Sequence, residues 1–102
     1  VWHDGEQYNM LMKDMTGEVC GEEQAGIHAV SENGYQWYTQ ESVSAYSRKF
    51  TWADGTPAHQ PKLERPQVLV KDGQPTHIYF ATYSEDENKL VTKAWNLVFE
   101  CV

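Results

Sequence analysis

Hydrophobic and polar residues alternate along short segments of this chain, and turn-forming residues separate the segments. Such alternation is the pattern of a β-strand that buries one face. The segments that show it predict strands at residues 8–15, 26–31, 35–39, 67–70, 76–83 and 91–102, and residues 1–2 resemble the end of a further strand. No window carries a sustained apolar stripe at helical spacing, so we expect an all-β domain in which helix is a minor element.

Two Asp-Gly turns give the pattern an internal repeat. Asp4-Gly5 and Asp72-Gly73 lie 68 residues apart, and each is followed by a strand and then by a further strand. Asp-Gly and Asn-Gly dipeptides favour the positive-φ turns that close β-hairpins. The repeat predicts two similar antiparallel four-stranded sheets, as in the blades of a β-propeller, although two such hairpins also occur in an ordinary meander.

The first blade-like unit covers residues 1–45 and the second covers residues 63–102. Residues 46–62 form a long connection between them, and the weak patterning begins at residue 40. Connections of this length are uncommon in compact domains and tend to be functional or disordered, and the aromatic residues here favour order. Tyr46, Arg48, Trp52 and His59 are therefore candidates for ligand contact, with surface packing as the alternative.

The charge balance limits the partners that the chain can bind. Lys and Arg number 8 against 15 Asp and Glu, which gives a net charge of −7, and no basic cluster is longer than Arg48-Lys49. This balance argues against nucleic acid and against an anionic membrane as partner. No apolar run approaches the ~18 residues that suggest a membrane span, so we expect a soluble protein, cytoplasmic or secreted.

Few residues carry a recognisable chemistry. The histidines and the pair Glu22-Glu23 show no metal-binding spacing, and no phosphate-binding glycine loop is present, so neither a metal nor a cofactor is expected. Cys20 and Cys101 lie far apart and outside any CxxC pattern, which leaves a disulfide and two free thiols both open. Aromatic residues make up 13% of the chain and suit either a β core or flat platforms for sugar rings.

Glu64 stands at the entrance of the predicted strand 67–70, directly before Arg65 and Pro66. Proline has no N–H to donate and biases the preceding residue toward extended conformations, so this tripeptide suits the first step of a strand. We therefore expect Glu64 at a strand end, where sites are commonly built. An ion pair with Arg65 is the structural alternative.

Three features together resemble the later blades of five-bladed β-propeller glycoside hydrolases of the arabinanase, xylosidase and fructosidase type. They are the Asp4-Gly5 hairpin that follows Trp2, the segment 27–34 followed by Trp37, and Glu64-Arg65-Pro66 followed by Asp72-Gly73 and the strand that ends at Thr82. The resemblance spans essentially the whole chain. It implies that the Glu-X-Pro element opens the inner strand of a blade and that Glu64 is the general acid.

Glycoside hydrolysis also needs a second carboxylate, which activates water or attacks the sugar. In the resembled families this carboxylate is an Asp of the first blade, and no position of the chain matches it. Asp14, at the end of its strand, is the best remaining candidate, with a solvated strand-end carboxylate as the alternative. Arg65 is added to the candidates for substrate contact. A single chain is therefore expected to lack a full acid–base set.

Three functional hypotheses follow from the sequence. The chain is a fragment or subunit of a propeller glycosidase, a non-catalytic carbohydrate-binding module, or a self-assembling β-sheet protein. Carbohydrate is the expected ligand in the first two. A homo-oligomer is expected because two isolated blades expose sheet faces and strand edges that need cover.

Overall fold

A computed structural model of the chain describes residues 1–39 and 44–101. The fold is all-β with antiparallel sheets, as the alternation predicts, and the described residues contain no helix. The strands are β1 (Trp2–His3), β2 (Tyr8–Asp14), β3 (Ala25–Ser31), β4 (Tyr38–Thr39), β5 (Lys49–Thr51), β6 (Pro57–His59), β7 (Glu64–Lys71), β8 (Gln74–Glu85) and β9 (Val91–Glu100). Residues 40–43 of the weakly patterned connection and residue 102 of the predicted last strand lie outside the described residues.

The first sheet has four strands in the order β1-β2-β3-β4, as predicted for the first unit. Its last strand is shorter than the predicted segment 35–39, because side chains fold residues 33–36 into a turn. The Asn33 Oδ1 atom accepts hydrogen bonds from the backbone N–H groups of Tyr35 and Gln36, and the Ser31 Oγ atom accepts one from Gly34. These bonds compete with strand pairing over the same residues.

The connection between the units contains a β-hairpin that the sequence did not predict. Strands β5 and β6 pair in an antiparallel two-stranded sheet. The Trp52 backbone N–H donates to the Thr56 carbonyl, and Gly55 in the turn has a φ of +91°. The Asp54-Gly55 dipeptide is the same turn signal that marked the other two hairpins, but strands of only three residues show too little alternation to be recognised.

The third sheet has three strands in the order β7-β8-β9, and not the four predicted for the second unit. Its strands are long, at 8, 12 and 10 residues. The Asp72-Gly73 turn joins β7 to β8, as predicted. After β9 the described chain contains only Cys101, so no further segment pairs with this sheet within the described residues.

The entrance of β7 departs from the extended conformation that was expected before Pro66. Arg65 has a φ of +52°, in the left-handed region that side chains rarely adopt, and the pairing with β8 shifts register between Glu64 and Gln67. This is a β-bulge, which adds a residue to one strand and changes the direction in which neighbouring side chains point. The expected extended Arg65 is therefore wrong, and Glu64 sits next to a local distortion of the strand.

The main core lies where the hairpin packs on the third sheet. Its buried members are Tyr46, Leu63, Phe80 and Leu97, and half-buried aromatic residues surround them. A smaller cluster of Cys20, Ala25 and Ile27 lies at the end of the first sheet.

Both cysteines are free thiols, so the disulfide alternative is wrong. The part of the chain that the structure describes includes no helix of the length and apolar character needed to cross a bilayer.

Candidate functional site

Glu64 forms an ion pair that joins two sheets. Its Oε1 atom lies 2.5 Å from the Nζ atom of Lys13, which projects from β2 in the first sheet, whereas Glu64 begins β7 in the third. The Lys13 side chain is only 13% exposed and that of Glu64 is 39% exposed. A nearly buried ammonium group needs an anionic partner, and Glu64 supplies it. The predicted alternative of a Glu64–Arg65 ion pair is wrong among the described residues, since Lys13 takes that place.

The ring of Tyr46 packs on Gly26, the residue opposite Lys13 in the first sheet. Tyr46 is 5% exposed, and its ring meets Phe80 with centroids 4.6 Å apart in an edge-to-face arrangement. The ring also rests on Gly26, where a Cβ atom would stand 2.1 Å from Tyr46 Cε1. Gly26 is the register partner of Lys13, so the Lys13 side chain and the Tyr46 ring lie on the same face of the first sheet.

Burial and two nearby acidic groups raise the pKa of Tyr46. Burial, and after it the negative charge of Glu64 and that of Cys20, raise the pKa of Tyr46 to about 12. The hydroxyl oxygen of Tyr46 is buried and has no hydrogen-bond partner among the described residues. Glu64 is thus close enough to act on Tyr46 through its charge, although no hydrogen bond joins the two side chains.

Asp14, the second predicted catalytic carboxylate, organises a loop. Its Oδ1 atom accepts a hydrogen bond from the backbone N–H of Gly17, and its Oδ2 atom accepts bonds from Val19 and Cys20. These bonds, that from Cys20 first, lower the pKa of Asp14. The side chain is buried and not solvated as the alternative had it. Both carboxylate oxygens therefore serve the turn that follows β2.

The other predicted contact residues lie in different environments. Trp52 is half-buried on the hairpin, where its ring stacks on Trp95 with centroids 6.0 Å apart. The Arg48 Nη1 atom donates to the Pro61 carbonyl, and its Nε atom is buried without a partner among the described residues. His59 and Arg65 are exposed. Of this set, Tyr46 is linked to Glu64 through the effect of the Glu64 charge on its pKa, and no hydrogen bond or ion pair joins Glu64 to Arg48, Trp52, His59 or Arg65 among the described residues.

A groove runs between the hairpin and the third sheet. It has a volume of about 830 Å³, and Tyr46, Phe50, Trp52 and Phe99 line it together with polar residues that include Lys49 and Glu100. Ligand pockets of about 300–1,000 Å³ with aromatic walls and a few polar groups are common in proteins that bind small molecules. Tyr46 and Trp52, two of the residues predicted for ligand contact, share this wall.

Lys13 and Gly26 are members of the site that sequence reasoning missed. Lys13 lies two residues after Leu11 in β2, so both side chains are on the same face of the strand. Leu11 and Val68 line a cavity between the first and third sheets. A lysine at the end of an inward-facing row is a weak signal of a buried ion pair, but its partner comes from a residue 51 positions away and is not readable from local pattern.

The described residues contain no cluster of three or more His, Cys, Asp or Glu side chains that could hold a metal ion. The chemistry available at the site is that of a carboxylate held by an ammonium group, beside a phenol hydroxyl. Such groups bind the hydroxyls of a polyol through hydrogen bonds, and one carboxylate also meets one of the two requirements for glycoside hydrolysis.

We compared the chain with protein-family models, with curated proteins and with solved structures. No match was found in any of the three comparisons.

Proposed function

We propose that this chain binds carbohydrate as part of a glycoside-hydrolase-like β-propeller assembly, with Glu64 as the acidic group at the sugar. The proposal rests on how Glu64 is held. It begins a strand beside a bulge, the Arg65 backbone next to it adopts a rare conformation, and Lys13 of another sheet binds its Oε1 atom. Strained backbone and bulges concentrate at functional sites, where they direct a side chain.

The arrangement of the two Asp-Gly turns supports the blade-like relationship between the sheets. A Cβ atom on Gly73 would lie 3.0 Å from the Asp4 carbonyl oxygen, so the turn of β7 and β8 touches that of β1 and β2. The two Asp-Gly turns, which are 68 positions apart in sequence, therefore lie side by side at one end of adjacent sheets. Radial repetition of blades around a channel would also bring equivalent hairpins side by side, which is why this contact supports the proposal.

Binding without hydrolysis is the second candidate function, and the state of Asp14 favours it. Its carboxylate accepts hydrogen bonds from the loop that follows β2 and so is not offered to a water or a sugar carbon. Hydrolysis by this chain would then depend on a carboxylate supplied by another chain or segment.

A sugar screen distinguishes the two candidates. Arabino-, xylo- and fructo-oligosaccharides are titrated against tryptophan fluorescence, and the matching aryl glycosides are tested for turnover. Binding that weakens at least about tenfold in Glu64→Gln, with Glu87→Gln at an exposed turn as the control, supports the proposal. Turnover that disappears in Glu64→Gln supports a hydrolase, and turnover unchanged in that variant contradicts it.

We also propose that copies of the chain associate through the third sheet. Strand β9 is the edge of that sheet, and it carries the exposed side chains Val91 and Val98 over ten residues. Long edge strands with exposed apolar residues are templates for pairing with another chain. Light scattering behind a sizing column tests this, because it should give a multiple of the single-chain mass that falls in Val98→Lys, with Thr56→Lys on an exposed turn as the control.

A further inference from the structure

We propose that Lys13 and Tyr46 complete the site around Glu64, with Lys13 as the residue that positions the carboxyl and Tyr46 as the hydroxyl that engages a ligand oxygen. The inference rests on the proposed carbohydrate binding at Glu64.

Lys13 fixes one of the two carboxyl oxygens. Its Nζ atom binds Oε1 of Glu64, and the register of β2 and β3 places Lys13 opposite Gly26, under the Tyr46 ring. Because the Lys13 side chain is 13% exposed, its stem is held by packing and cannot sample many positions. Oε2 of Glu64 is then the oxygen presented to a ligand, in a fixed direction.

The Tyr46 hydroxyl is kept buried without a protein partner. A buried hydroxyl without a hydrogen-bond partner destabilises the fold, so phenylalanine at this position would stabilise the core more than tyrosine does. The ring packs on Gly26 and Phe80 in the core cluster that includes Leu63, and this packing does not need the oxygen. Tyr46 Cζ, which carries the hydroxyl, would lie 2.7 Å from a Cβ atom on Gly26, the register partner of Lys13, and Lys13 binds Glu64. This series of contacts places the hydroxyl on the same face as the ion pair, so we expect it to engage a ligand oxygen at Glu64 through one water.

The first test uses Tyr46→Phe, with Tyr35→Phe at an exposed position as the matched control. We expect Tyr46→Phe to raise the urea midpoint of unfolding, because it removes an unpartnered polar atom, and to weaken binding of the oligosaccharide found in the screen by about five- to tenfold. A lower urea midpoint, or a higher one with unchanged sugar affinity, overturns the role of the hydroxyl.

The second test addresses Lys13. We expect Lys13→Met to weaken sugar binding by about tenfold or more and Lys13→Arg to recover part of the loss, since guanidinium also binds a carboxylate. A purely structural lysine would instead lower stability in both variants without a matching effect on sugar affinity, and that result overturns the positioning role.

A measurement without sugar separates this inference from the proposed function. The Nζ resonance of a buried, ion-paired Lys13 should appear in a ¹H–¹⁵N correlation spectrum of the wild type and be lost by rapid exchange in Glu64→Gln. The same variant should lower the pKa of Tyr46, followed by the ¹³Cζ resonance, because it removes a negative charge that raises it. If no sugar binds but both changes occur, the proposed function fails and the three-residue unit stands. If neither occurs, the unit itself is wrong.

Discussion

Gly26→Ala tests the packing that brings Tyr46 and Lys13 together. The substitution would place a Cβ atom 2.1 Å from Cε1, 2.2 Å from Cδ1 and 2.7 Å from Cζ of the Tyr46 ring. Carbon atoms in contact are normally about 3.5–4.0 Å apart, so the ring would have to retreat by ~1.4 Å. Phe80 already fills part of the space around the ring, since the two ring centroids are 4.6 Å apart.

The energetic cost follows from the size of this clash. Overpacking a buried site costs about 1–3 kcal/mol, and complete expulsion of an aromatic ring costs about 3–5 kcal/mol. Alanine also lowers the conformational entropy of the unfolded chain, which stabilises the folded state by about 0.4–1 kcal/mol. We therefore expect Gly26→Ala to lower the free energy of unfolding by about 2 kcal/mol, and Tm by about 10 °C in a domain of this size.

Urea unfolding followed by tryptophan fluorescence measures this cost, and a double-mutant cycle assigns it to the ring. In the Tyr46→Ala background the same glycine substitution should be neutral or slightly stabilising, which gives a coupling energy of about 2 kcal/mol. Gly55→Ala is the control for a glycine substitution without a clash, because a Cβ atom there meets no atom within 4 Å. Any cost of that variant comes from its φ of +91°. A cost below ~0.5 kcal/mol for Gly26→Ala, or additive effects in the cycle, would refute the packing of Tyr46 on Gly26.

Three further predictions concern the acidic turns and the thiols. Hydrogen bonds from the backbone of Gln7 and Glu6 and from the Asn9 side chain lower the pKa of Asp4 from 3.8 to about 2. The stability that Asp4 contributes should therefore be complete above about pH 4 and lost as the pH falls toward 2, a loss absent in urea titrations of Asp4→Asn. Asp14→Ala should accelerate amide hydrogen exchange in residues 17–20, whereas unchanged exchange contradicts the loop role of Asp14. Burial raises the pKa of Cys101, so a thiol reagent at pH 8 should modify it slowly in the folded protein, and two thiols should react in urea without reductant.

Local sequence patterns were sufficient for much of the fold. Alternation located β2, β3, β8 and β9 to within a few residues, and the Asp-Gly dipeptides located the hairpin turns, because both signals arise from residues that are neighbours in the chain. The hairpin β5–β6 was missed because its strands are three residues long. The number of strands in the third sheet was wrong because the predicted repeat was extended from one unit to the other.

Only part of the candidate site's geometry could be predicted. The position of Glu64 at a strand end followed from Arg65-Pro66, but the positive φ of Arg65 ran against the usual effect of a following proline. Its partner Lys13 lies 51 residues away, and only the packing of two sheets brings the pair together. Tyr46 was predicted as a ligand contact on a loop, and its burial on Gly26 depends on a glycine that no local pattern singles out.

Amide chemical-shift mapping tests the proposed carbohydrate site most directly. The ¹⁵N-labelled chain is titrated with the oligosaccharides of the screen, and each amide shift is followed to saturation. Carbohydrate binding at Glu64 predicts that the largest shifts fall on Lys13, Tyr46 and Glu64, and that they disappear in Glu64→Gln but not in Glu87→Gln. Shifts confined to other surfaces, or no shift with any of the sugars, would contradict a carbohydrate site at Glu64.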